Sequence, residues 1–133
     1  IIITGSLKDI MGYEGRFCTR GSFSPSEGGE NSLDGDIMSF RAGQETEDIF
    51  WKPFIADVAS AESETEGRER LWIRRSTGNK ADIWQKFLPG QILSYKRHVQ
   101  RRRFVPKEGR IISCHGYPRP HQITDKWRTE YWK

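Results

Sequence analysis

Apolar residues along this chain recur at two spacings, one suited to strands and one to helices. Ile1-Ile2-Ile3-Thr4 is an unbroken apolar run closed by Gly5, the pattern of a buried central strand. Ser6 and Asp9 stand at capping-box spacing, with Asp for the usual Glu, before a short helical turn over 7–11. Residues 15–19 and 37–42 read as strands, and the Gly-, Ser- and Glu-rich stretch 21–35 between them reads as a loop. Ile49, Phe50, Phe54 and Val58 then repeat at helical spacing through 45–59, where Pro53 kinks the helix or marks its first turn. Two shorter helices are predicted over 66–75 and 80–87, with Ile83, Trp84 and Phe87 on one face of the second. Leu88-Pro89-Gly90 is a turn, 92–95 a short strand, 97–109 a basic loop and 110–114 a further strand. In the tail, 124–133, Trp127 and Tyr131 are spaced to share a helical face. Strands and helices alternate without an internal repeat, which predicts an α/β fold.

Composition adds a size limit and a sign. With 133 residues the chain suits one compact domain, 1–133. Its 5 Trp, 7 Phe and 4 Tyr exclude a disordered chain, which lacks large buriable side chains. The net charge of +4 hides a division: residues 1–66 hold 5 Lys/Arg and 13 Asp/Glu, whereas 67–133 hold 17 and 5. A basic second half points to an anionic partner or to charge complementarity between the halves. Cys18 and Cys114 are too few for a disulfide framework or a zinc site of their own, so a reducing, cytoplasmic compartment is expected. No apolar run is long enough to span a membrane. A buried strand at the first residue, without Met, suggests a segment of a longer protein.

The chemistry-bearing residues cluster after the strand 110–114. The loop Cys114-His115-Gly116-Tyr117-Pro118-Arg119-Pro120-His121 leaves a strand's carboxyl end, where open α/β sheets bind ligands. Gly116 lets backbone approach a ligand closely. Arg119, between two prolines, offers a planar fork of donors suited to phosphate oxygens, although Pro-Arg-Pro also serves as a rigid solvated turn. His115 is suited to a divalent metal or to donating toward an oxyanion. The basic run Lys96, Arg97, His98, Arg101, Arg102, Arg103, Lys107 and Arg110 suits phosphates as well, and a nucleic-acid backbone is the rival partner. Trp51, Trp84, Trp127 and Trp132 read as packing anchors, and Trp72, among Arg70, Arg74 and Arg75, as the exposed one.

The block from Arg110 to Trp132 resembles the end of nucleotide-sugar glycosyltransferases of the GT-A fold, relatives of the glycogenin-like family. These carry a C-terminal His followed by Gly-x-x-Lys-Pro, and Gly116-Tyr117-Pro118-Arg119-Pro120 is similar, with Arg for Lys. The Phe-His-Gly-Lys/Arg-Pro-Lys/Arg-Pro form of phage and bacterial relatives is closer still. In the glycogenin-like pattern the His stands three residues before the Gly, where this chain has Ser113. Upstream, Ile1 to Ile10 resembles the strand and turn after the family's Asp-x-Asp motif, Ile37 to Gly43 its acceptor-side strand, and Ala81 to Lys96 the stretch around Phe-Pro-Gly-Gln-Val-Ser-Tyr-Lys.

That resemblance implies the C-terminal part of a GT-A-like mixed sheet flanked by short helices. It implies a sugar transferase using a nucleotide-sugar donor and a divalent metal, manganese in the family. His115 would ligate the metal; Arg119, Gly116 and Lys96 would meet the diphosphate. The departures lie on the carboxylate side. Asp-x-Asp is missing, Asp34-Gly35-Asp36 falls in a Gly-rich acidic loop, and Gly67-Arg68-Glu69 stands where the family writes Gly-Asp-Gln. A non-enzymatic basic module for nucleic acid or other polyanions is the alternative.

Overall fold

The computed structural model describes residues 1–132. In chain order it contains β1 (Ile2–Ile3), α1 (Lys8–Met11), β2 (Phe17–Gly21), β3 (Leu33–Phe40), α2 (Gln44–Thr46), α3 (Lys52–Ala56) and α4 (Val58–Thr65). There follow α5 (Glu69–Thr77), β4 (Asp82–Ile83), α6 (Trp84–Phe87), β5 (Ile92–Ser94), β6 (Ile111–Ser113) and α7 (Arg128–Tyr131). The fold is α/β, with two small mixed sheets. The chain forms two compact units, residues 1–12 with 84–133, and residues 13–83. No helix among the described residues is long and apolar enough to cross a membrane.

The first unit holds the sheet β1-β6-β5. β1 runs antiparallel to β6, pairing Ile2 with Ile112, while β5 runs parallel to β6, pairing Leu93 with Ile112 and Ser94 with Ser113. Ile2, Leu93 and Ile112 pack with Tyr95, Val99, Cys114, Ile123 and Trp127 in one core. Within β1 the alternation of a strand decides which side chain joins this core: Ile2 is buried while Ile1 and Ile3 are each 49% exposed. The predicted loop 97–109 begins instead as a π-helical turn, Tyr95–Val99, because Ser94 caps it by accepting from the Arg97 amide and Val99 is buried. In the tail only Arg128–Tyr131 is helical, and Lys133 lies outside the described residues.

The second unit is built on the antiparallel pair β2 and β3, with β4 added in parallel to β2. The predicted loop 21–35 contains two 3₁₀ turns, Pro25–Glu27 and Gly29–Asn31, and β3 starts inside it at the fully buried Leu33. The predicted helix 45–59 divides. A π-helical turn, Glu47–Trp51, precedes α3, and Asp57 then breaks the run and caps α4 by accepting from the Ser60 amide at 3.0 Å. The helix predicted over 80–87 keeps only α6. Asp82 and Ile83 pair with Cys18 and Thr19 instead, which buries Ile83.

Aromatic burial differs from the sequence reading. Trp84 and Trp127 are buried as packing anchors, but Trp51 is 60% and Trp132 42% exposed. Trp72, read as the exposed one, is half-buried, with Phe54 edge-on at 5.6 Å and Arg75 over its ring.

Candidate functional site

Parallel pairing brings the carboxyl ends of β5 and β6 to the same edge of the first unit's sheet. The chain leaving β5 carries Lys96, and the chain leaving β6 carries His115 and Gly116. Residues far apart in sequence therefore meet where ligands of α/β sheets bind. Gly116 adopts a left-handed φ of 70°, which glycine accepts without strain. A Cβ at this position would lie only 3.3 Å from Lys96 Nζ. The Lys96 ammonium thus stands directly over the backbone of Gly116, near enough for one anion to meet both.

Ser94 organises the neighbouring imidazoles. Its hydroxyl lies 3.0 Å from His115 Nε2, and its amide donates to His98 Nδ1 at 2.8 Å. Neutral His98 therefore carries its proton on Nε2. Ser94 is fully buried and His115 half-buried, so the pair fixes the imidazole rather than presenting a solvent-facing nucleophile. Sequence reasoning did not single out Ser94. Its signal was its place as the polar end of the apolar run Ile92-Leu93-Ser94.

Beyond Gly116 the loop is fixed at its far side. The Tyr117–Pro118 peptide is cis. The Arg119 amide donates to Gln122 Oε1 at 2.8 Å, and Pro120–Gln122 closes a 3₁₀ turn. Ile123 and Trp127 enter the core, and Tyr95 donates to Asp125 Oδ2 at 3.0 Å while its ring packs against Trp127. Burial, followed by the Asp125 hydrogen bond, pushes the Tyr95 hydroxyl up to about 12, so it remains a donor at neutral pH. Arg119 itself is exposed and makes no ion pair among the described residues.

The two units differ in how many of their cations are ion-paired. In the second unit Arg16, Arg20, Lys52, Arg68, Arg70 and Arg75 all hold acidic partners. In the first, Lys96, Arg97, Arg101, Arg102, Arg103, Lys107 and Arg119 make no ion pair among the described residues. Of these cations, Lys96 stands beside the strand-end loop at Gly116, where its charge is free to attract an anion.

Asp34-Gly35-Asp36 has a structural task. Both carboxylates pair with Arg20, a residue only 2% exposed whose guanidinium lies 4.6 Å from the centre of the Phe23 ring. A buried cation requires such partners. Likewise Arg68 of Gly67-Arg68-Glu69 pairs with Glu66.

The donor set near His115 does not make a metal centre by itself. One imidazole nitrogen is engaged by Ser94 and an ammonium stands nearby, whereas divalent cations need several oxygen or nitrogen donors. Among the described residues no group of three or more His, Cys, Asp or Glu is placed to hold a metal. The chemistry at the junction is that of an anion contact, with Lys96 supplying charge beside the closely approachable Gly116 backbone. No family model, no curated protein and no solved structure matches this chain.

Proposed function

We propose that the first unit binds the diphosphate of a nucleotide-sugar, as the segment of a GT-A-type glycosyltransferase that carries the cationic half of its donor site. One observation carries this reading: Lys96 Nζ stands over the left-handed backbone of Gly116 at the joined carboxyl ends of two parallel strands. The match of His115-Gly116-Tyr117-Pro118-Arg119-Pro120 to the family's C-terminal pattern supports it.

In sugar transfer, negative charge grows on the departing diphosphate, and fixed cations lower the barrier most where that charge develops. Lys96 would meet one phosphoryl group beside Gly116. Arg119, on the stiff turn beyond Pro118, would clamp another through paired N–H donors. His115, oriented by Ser94, would stand beside the same group. Manganese, when bound, would add Lewis-acid neutralisation of the diphosphate. The described residues do not complete a site for it, so the work derived for this chain is binding and charge neutralisation.

The test is calorimetric titration of the protein with a UDP-sugar, with and without manganese, beside a short single-stranded oligonucleotide. Saturable UDP-sugar binding that weakens about tenfold or more in Lys96→Ala and Arg119→Ala is expected, the loss of a charge-assisted contact. Tight, salt-sensitive oligonucleotide binding that UDP-sugar cannot displace would overturn the reading in favour of a polyanion module.

A further inference from the structure

The second unit carries an open apolar cleft that the donor loop does not use. Its volume is about 480 Å³, and its walls include Phe17, Met38, Phe40, Phe50, Trp51 and Trp72. Met38, Phe40 and Trp51 are 45%, 53% and 60% exposed. Concentrated apolar exposure of this kind marks an interaction site. The rings are held in place from behind: Phe17 packs on Phe50 at 5.0 Å, and Phe54 on both Trp51 and Trp72. Arg75 already covers the Trp72 ring, which leaves Trp51 as the open platform.

Two carboxylates border the cleft. Glu47 and Glu69 line it, and neither makes a side-chain hydrogen bond or ion pair among the described residues. The cleft therefore suits a partner that offers an aromatic group with cations beside it.

This chain contains such a segment. Arg101-Arg102-Arg103-Phe104 is exposed throughout, with Phe104 57% exposed. None of the three arginines is ion-paired among the described residues. The segment is shaped as well as charged. The amides of Arg102 and Arg103 both donate to the Val99 carbonyl, at 3.0 and 2.8 Å, and Arg103 takes a left-handed φ of 57°. That turn holds Phe104 next to the arginines. Counted over the whole sequence, the first unit has 13 Lys/Arg and 4 Asp/Glu, and the second 9 and 14.

We propose that segment 101–104 of one copy seats in the acidic aromatic cleft of a second copy, so that the chain self-associates head to tail. Phe104 packs against Trp51 and Phe50, and the arginines face Glu47 and Glu69. The two surfaces are different, so the contact is heterologous. Each added copy leaves one free segment and one free cleft, and assembly continues with concentration unless it closes into a ring.

Sedimentation velocity across a wide concentration range tests this, with circular dichroism to check folding. Phe104 and Trp51 are both exposed, so Phe104→Ala and Trp51→Ala should leave the fold intact. The expected result is a mass that rises with concentration, falls with added salt, and shifts to about tenfold higher concentration in either variant. The decisive arm mixes the two. A Phe104→Ala chain keeps its cleft and a Trp51→Ala chain keeps its segment, so together they form a one-to-one dimer and nothing larger. A wild-type chain that stays monomeric throughout, or an assembly that both variants leave unchanged, overturns the proposal. So does a mixture that forms no complex. Saturable cleft binding of phenethylammonium by a monomeric chain would instead assign the cleft to an apolar cation from another source.

Discussion

Replacing Arg20 by Met removes a cation that the second unit cannot shed to solvent. Arg20 is 2% exposed, and its two partners, Asp34 and Asp36, are 18% and 30% exposed. Breaking a buried ion pair by removing one partner costs about 3–5 kcal/mol, because the remaining charge is left uncompensated. Here both remaining carboxylates keep some access to water, which places the expected cost near the lower end, about 3 kcal/mol. Methionine fills much of the arginine stem's volume, so cavity formation adds little. Urea unfolding followed by tryptophan fluorescence measures the effect, with Trp51 and Trp72 in the second unit and Trp84, Trp127 and Trp132 in the first. With a slope of about 1.5 kcal/mol per molar urea, the midpoint should fall by about 2 M. Asp36→Asn, which leaves Asp34 in place, should cost only about 1 kcal/mol. A midpoint shift below about 0.5 M in Arg20→Met would refute the reasoning. So would a stabilisation of the wild type by manganese that Asp36→Asn abolishes, since it would make the acidic pair a metal site.

Three further outcomes follow from the same geometry. Gly116→Ala forces a left-handed alanine against Lys96 Nζ; a cost of about 1–2 kcal/mol in urea unfolding is expected, with weakened UDP-sugar affinity. Tyr95→Phe removes the hydrogen bond to Asp125 and should cost about 1 kcal/mol, read as a lowered urea midpoint. Arg70 donates to Glu27 and thereby holds its carboxyl below the ordinary value of 4.5. Because the folded-state value is depressed, this contribution is present above the ordinary glutamate range and is lost as pH falls through the folded value. The stability gap between wild type and Arg70→Met should therefore be full at neutral pH and vanish in acid, as read from urea midpoints over a pH series.

Much of the first unit was legible because its strands are short apolar runs, with Ile92–Ser94 and Ile111–Ser113 buried at every position. The apolar runs around Ile2, Leu93 and Ile112 mark three strands, and all three pair in one sheet. What remained hidden was their order. Nothing in the sequence states that β5 lies parallel beside β6, yet that pairing alone joins Lys96 to Gly116. Ser94 was hidden for the same reason, since His98 is a local partner four residues on but His115 arrives from the strand beyond. Short elements fail differently. The helical run through Phe54 and Val58 was visible in its spacing, but the break at Asp57 depends on one capping side chain outweighing propensity. At Asp82 and Ile83, burial against β2 overrides a helical pattern that two residues are too few to contradict. Exposure of Trp51 was equally invisible, because helical spacing says which residues share a face and not whether that face is covered.

The central claim is that the Lys96 and Gly116 junction receives a diphosphate. Its most direct measurement is an amide NMR titration of the protein with UDP. Saturable shifts at Gly116, Arg119 and Lys96, weakened about tenfold or more in Lys96→Ala, are the expected result. Shifts confined to other residues, or a UDP affinity that Lys96→Ala leaves unchanged, would contradict it.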